Sequence, residues 1–224
     1  MTAKSISLGD IAIPITGVIF DLDGTLLDSM PIWATIASDY LRSQGIPPEP
    51  GLDQRFMSLS MAQGAAHYRD HYGLDKPVDK IIAEVCAMVY EAYATRVPLK
   101  PGAHDFLTTL HAAGIPTVIA TASERDLIHA ALAQHQLTHC IDHILTCSEA
   151  GFGKDRPEIF EAALALLGTS KKSTLVFEDA YHAIKTAAGA GFTVIAMSDD
   201  SAAADAGAIE TLCPMTIHTF KELL

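Results

Sequence analysis

The chain is short of positive charge. Fifteen Lys and Arg face 27 Asp and Glu in 224 residues, a formal net charge of −12. A polyanion needs a basic face to land on, so nucleic acid is not an expected partner. An anionic small molecule stays open, because a local cation overrides the global field. Cysteine is also sparse. The four present (Cys86, Cys140, Cys147, Cys213) make no C-x-x-C pair, which argues against a disulfide framework or zinc knuckle and suits a reducing compartment. No apolar run reaches the length of a membrane-spanning helix. The opening MTAKSISLGDIAIPIT is broken by Gly9, Asp10 and Pro14 and lacks the apolar stretch and cleavage site of a signal peptide. The expectation is a cytoplasmic protein with no membrane partner. There is no internal repeat, and low complexity is confined to the Ala-rich patch near residues 201–208. The apolar fraction of 49% nonetheless suits a packed globule.

Against that background one string stands out, VIFDLDGTLLDS at residues 18–29. Val18, Ile19 and Phe20 read as a buried strand, ended by the turn residues Gly24 and Thr25. Alternate residues of a strand point the same way, so Asp21 and Asp23 can reach one site at its C-terminal edge. Crowded carboxylates repel unless a cation neutralises them or one takes up a proton. A site needing a nucleophile and a proton donor could use that pair. The plainer alternative is an Asp-rich turn, since Asp-Gly is a common turn dipeptide.

The rest of the chain alternates. Strands are expected at 15–20, 117–121, 143–146, 174–177 and 193–196, with a last short one at Ile217. Helices are expected at 104–113, 124–134, 157–167, 180–190 and 220–224. Short apolar strands separated by helices predict an α/β fold: a Rossmann-like parallel sheet flanked by helices on both faces. Three helices, 30–44, 54–72 and 78–94, interrupt this alternation after the first strand. They read as an inserted small all-helical domain over 29–97, with 1–28 and 98–224 forming the sheet-based core.

Sheets of this class bind ligands beyond the C-terminal ends of their strands. The residues just past the strands are therefore informative: Asp21 and Asp23, then Thr121-Ala122-Ser123, then Gly153-Lys154, then Glu178-Asp179. Asp21 and Asp179 can share a hard, oxygen-loving cation, and Mg2+ is the expected one. Lys154, the Thr121 hydroxyl and helix N-termini can hold a phosphoryl group. Asp21 can then attack phosphorus, while Asp23 protonates the departing oxygen and later deprotonates water.

These motifs in this order resemble the haloacid dehalogenase superfamily, in the branch of the β-phosphoglucomutases and phosphoglycolate phosphatases. The matching stretches are VIFDLDGTLLDS, VPLKPGAHDFLTTLHAAGIPTVIATAS, GKDRPEIFEAALALLG and VFEDAYHAIKTAAGAGF. The resemblance implies a phosphatase with Asp21 as nucleophile and Asp23 as general acid/base and carbonyl ligand of Mg2+. It implies Thr121, Ala122 and Lys154 on the phosphoryl group, Asp21, Asp23, Asp179 and Glu178 around the metal, and a substrate-selecting helical cap. The substrate would be a small phosphorylated metabolite, and a monomer is the default for this cap type. There are departures. Ala180 and Ala183 stand where the branch often has Ser and Gly, and Ala122 where Asn is common. Trp33 stands where the mutases carry His, which argues against the alternative of a sugar phosphomutase. The retained Asp21, Asp23, Lys154 and Asp179 argue against a catalytically silent binding module.

Other readings are local. Arg55, Met57 and Ser58 come after the Pro-rich turn and are candidates to read the non-phosphate part of the substrate. Equally, Ser58 or Ser60 could cap a helix start while Met57 packs. His129, His135, His139 and His143 lack a tight ligand block for zinc. Trp33 and Met30 are expected to pack, and Arg125, Arg156 and Lys185 to be surface charges.

Overall fold

A computed structural model describes residues 14–56, 59 and 61–224. They fall into two compact units, one of residues 28 and below together with 97–224, the other of residues 29–96.

The first unit is built on six parallel strands: β1 (Gly17–Phe20), β2 (Thr117–Thr121), β3 (His143–Thr146), β4 (Thr174–Glu178), β5 (Thr193–Met197) and β6 (Met215–Ile217). Their order is β3-β2-β1-β4-β5-β6. The chain leaves β1 to one side for β2 and β3, then returns past it to β4. β1 is therefore the strand at which the order reverses, and β2 and β4 are its neighbours. That switch point opens a crevice at the strands' C-terminal ends, where open α/β sheets bind ligands. Register holds the three ends level: Phe20 lies opposite both Ile119 and Phe177.

The side-chain period of two splits each strand between two cores. Ile19, Val118 and Val176 face a cluster with Ile159, Phe160 and Ile184. Phe20 and Phe177 stack at 5.1 Å, and Phe106 and Phe220 stack at 5.1 Å beside them, all four fully buried. Burying a phenylalanine contributes about 1.5–3 kcal/mol, so this quartet is one anchor of the sheet.

The second unit is helical: α1 (Met30–Trp33), α2 (Ile36–Ser43), α3 (Leu52–Phe56), α4 (Met61–Tyr72) and α5 (Val78–Thr95). Tyr40, Leu41, Leu52, Tyr68, Ile81 and Val85 form its core. Tyr68 Oη donates to the Ala37 carbonyl at 2.9 Å, and Tyr40 Oη to Glu84 at 2.8 Å. The single helix expected at 30–44 is in fact two. Thr35 N–H bonds back only three residues, to Ile32 O at 3.1 Å, and its hydroxyl donates to Pro31 O and to Asp39. A tightened turn with a competing side chain ends one helix and starts the next. The helix expected at 54–72 also resolves into α3 and α4, with part of the stretch between them outside the described residues.

The first unit's remaining helices are α6 (Ala103–Ala113), α7 (Arg125–Gln134), α8 (Cys147–Ala150), α9 (Glu158–Leu167), α10 (Tyr181–Gly189) and α11 (Ala206–Leu212). α8 and α11 have no counterpart among the helices expected from the sequence. The expected terminal helix is a 3-10 turn, Phe220–Leu223. No helix among the described residues is long and apolar enough to cross a membrane.

Candidate active site

The turn after β1 is folded by its own backbone. Leu26 and Leu27 N–H both bond to Leu22 O, and Gly24 N–H bonds to Leu27 O at 2.9 Å. Gly24 sits at φ +82°, a left-handed conformation that favours glycine. Asp21 N–H donates to Phe177 O at 2.9 Å, tying the first carboxylate to the end of β4.

On this frame the strand ends bring together Asp21, Lys154, Glu178 and Asp179, all buried. Lys154 Nζ, from the loop after α8, donates to Asp21 Oδ1 and to Glu178 Oε2, the latter at 2.7 Å. Thr25, fully buried, donates its hydroxyl to Asp179 Oδ1 at 2.9 Å. Asp21, Glu178 and Asp179 each offer an oxygen, and these lie within 4.8 Å of one another. Among the described residues this is the one such gathering of metal-ligating side chains.

Three carboxylates share this space with one ammonium. Burial raises the Asp21 carboxyl well above the ordinary carboxylate range, Glu178 adds to the effect, and Lys154 opposes it. Asp179 is pushed up to about 7, by burial first and Glu178 second, against the Thr25 hydrogen bond and Lys154. Burial works against the Lys154 ammonium, yet Asp21 and Glu178 carry its pKa above the usual lysine value, so it stays charged. An all-oxygen donor set with surplus negative charge fits a hard divalent cation.

Asp23 is held from across the crevice. Ser123 Oγ donates to Asp23 Oδ2 at 2.5 Å, and Ser123 N–H donates to Thr121 Oγ1 at 3.1 Å. Thr121 is buried at the end of β2, and Ala122 is exposed beside it. The structure thus brings Asp21, Glu178, Asp179 and Lys154 into direct contact or close approach, and sets Asp23 and Thr121 on the adjoining strand ends. Arg55 is exposed on α3 in the second unit, where its neighbour Asp53 accepts from Ser38 N and Oγ. Met57 and Ser58 lie outside the described residues. Trp33 Nε1 donates to Tyr93 Oη at 3.0 Å within the second unit. His135 and His139 take separate partners, Val97 O at 2.8 Å and Cys140 Sγ at 3.4 Å. Arg125 pairs with Glu149, and Arg156 with Glu158.

Two site contacts are not legible in the sequence. Thr25 reads there only as a turn residue, though its place beside two aspartates in one turn is a signal. Ser123 reads only as part of the string after β2. Its partner is 100 positions away, and nothing local marks the pairing.

A model of the family described as haloacid dehalogenase-like hydrolase matches residues 15–191. Hexitol phosphatase A of Escherichia coli (strain K12) is 30% identical over 186 residues, covering 81% of this chain and 82% of its own. Validoxylamine A 7'-phosphate phosphatase of Streptomyces hygroscopicus subsp. limoneus is 27% identical, over 80% of this chain and 84% of its own. Among solved structures, a HAD hydrolase of family IA, variant 3, from Entamoeba histolytica HM-1:IMSS superposes with a TM-score of 0.76 at 25% identity, over 94% of this chain and 96% of that one.

Proposed function

The chain belongs to the haloacid dehalogenase-like hydrolases, and from that premise we propose that it hydrolyses phosphate monoesters of small metabolites through a phosphorylated Asp21. One observation carries the reading. Asp21 lies at the sheet's switch point with a buried ammonium on one oxygen, two further carboxylates beside it, and Asp23 two residues on. The hexitol and validoxylamine relatives are phosphatases of small phosphorylated compounds, which supports the same class of substrate.

In the first step an Asp21 oxygen forms a bond to phosphorus as the ester P–O bond breaks, and Asp23 gives its proton to the leaving oxygen to yield the alcohol. In the second, water adds to phosphorus, its proton passes to Asp23, and the bond between Asp21 and phosphorus breaks to release phosphate. Lys154, the Thr121 hydroxyl and the Ala122 N–H hold the phosphoryl oxygens throughout. Lys154 also neutralises Asp21 against the approaching anion. Asp21, the Asp23 carbonyl and Asp179, with Glu178 in support, are the groups that would hold Mg2+. That ion offsets negative charge on the phosphoryl group. The helices of residues 29–97 act in this reading as the cap that selects the substrate, with Arg55, Met57 and Ser58 its first candidates.

The test is Asp21→Asn assayed for phosphate release from a panel of sugar and short-chain phosphates. The expected loss is about 10³-fold or more, because no other group takes the nucleophile's place. Undiminished release by Asp21→Asn overturns the mechanism. Conversion of a sugar 1-phosphate to its 6-phosphate without free phosphate would overturn hydrolysis in favour of phosphoryl migration.

A further inference from the structure

We propose that Ser123 is a positioning residue for proton transfer, aiming the Asp23 carboxyl at the oxygen of the departing alcohol. The proposal rests on the phosphatase reading of Asp23. Three observations carry it. Ser123 is 8% exposed, so its hydroxyl is largely shielded from water. Its Oγ donates to Asp23 Oδ2 at 2.5 Å, bridging the ends of β2 and β1. Its own N–H is committed to Thr121 Oγ1 at 3.1 Å, so the residue that clasps Asp23 is itself fixed by the backbone turn after β2.

The chemistry asks for such a clasp. An aspartate in a turn has two free torsions, and a general acid works only from a narrow range of positions. Pinning one carboxyl oxygen fixes the plane of the group and the direction of the other oxygen. A hydroxyl suits this role better than an amide or an ammonium. It donates to a carboxylate and accepts from a carboxylic acid, so the contact survives while Asp23 gives up its proton and regains it. The same turn orders Thr121. Its oxygen accepts the Ser123 N–H, which leaves its hydroxyl proton directed to another acceptor, such as a phosphoryl oxygen.

A misdirected acid and a generally damaged site are separable by leaving group. Nitrophenolate departs without a proton, whereas an alkoxide needs one. Ser123→Ala should lower kcat/KM for β-glycerophosphate by about 10- to 100-fold, and for p-nitrophenyl phosphate by less than about threefold. Ser123→Thr, which keeps the hydroxyl, should restore most of the loss on β-glycerophosphate. Should the alanine variant not fold, Ser123→Cys, nearly isosteric with a weak donor, reads the same split. Equal losses on both esters, or no loss on either, overturn the proposal in an enzyme otherwise active. A wild-type protein that turns over neither ester overturns the phosphatase reading itself, and this proposal with it.

Discussion

A methyl group placed on Gly24 would lie 2.3 Å from Asp179 Oδ2 and 2.7 Å from the Asp179 carboxyl carbon, at a backbone φ of +82°. Both facts act on one substitution. The left-handed conformation costs an alanine about 1–2 kcal/mol, and the carboxylate cannot stay where it is. Gly24→Ala is therefore expected to lower activity by about 100-fold, as a misplacement near 1 Å does at a catalytic centre. Stability should fall by only about 1–2 kcal/mol. Steady-state kinetics beside urea unfolding would check this, and an active Gly24→Ala enzyme would show that Asp179 is free to move. At this scale the sequence is informative wherever the chemistry is concentrated. Asp21 and Asp23 are neighbours, and Lys154 and Asp179 each come after an apolar strand closely enough to be found. Thr25 and Ser123 are not legible in their roles, because a hydroxyl's meaning lies in its partner. The partners here are 154 and 100 positions away.

Between residue and molecule lies the junction where the chain leaves the sheet and returns. Leu27 and Leu99 form an antiparallel bridge, Asp28 N–H donates to Pro98 O at 2.9 Å, and Lys100 N–H to Leu26 O at 2.9 Å. Lys100 then reaches Asp199, in the turn after β5, at 2.6 Å, with Asp28 at 3.8 Å. Burial alone would raise the Asp199 carboxyl, but the Lys100 and Ser201 hydrogen bonds hold it below its ordinary value. Both side chains are shielded, at 10% and 4% exposure. Lys100→Met should thus leave a buried charge unpaired and cost about 3 kcal/mol of unfolding free energy in a urea titration. Adding Asp199→Asn should recover most of it, since the amide oxygen can still accept from Ser201. A single variant as stable as wild type would show the pair to be idle. The elements themselves are legible unevenly. The central strands are apolar runs, because a parallel sheet covered on both faces buries every residue. β2 and β3 lie at 117–121 and 143–146 as expected. The break between α1 and α2 depends on where the Thr35 side chain bonds, which periodicity does not record. α8 carries a capping box of Thr146 and Glu149. That is a T-x-x-E signal in the sequence, too short a helix for periodicity to flag within an apparent loop.

For the molecule as a whole, the net charge of −12 and the buried carboxylates act in the same direction. An acidic protein draws cations toward it, and Asp21, Glu178 and Asp179 concentrate that pull where one ammonium does not balance three carboxylates. Without metal, Asp21 and Asp179 in the folded state keep protons that the unfolded chain has already lost. The Asp179 carboxyl is pushed up from 3.8 to about 7. A raised carboxyl pKa means that the native state binds more protons than the unfolded state between those values. The stability of the metal-free protein therefore declines as pH rises from 4 through 7. A divalent cation takes the place of those protons, so it should stabilise most where they are gone. Adding Mg2+ to EDTA-treated protein at pH 8 should raise Tm by about 5–10 °C once the ion reaches roughly 100 times its dissociation constant. The size of that shift comes from about 2.7 kcal/mol of linkage and 2–4 °C per kcal/mol for a chain of this size. The shift should be smaller at pH 5, where protons compete, and absent in Asp179→Asn. Equal shifts at both pH values, or a full shift in Asp179→Asn, would place the ion somewhere other than at these three carboxylates.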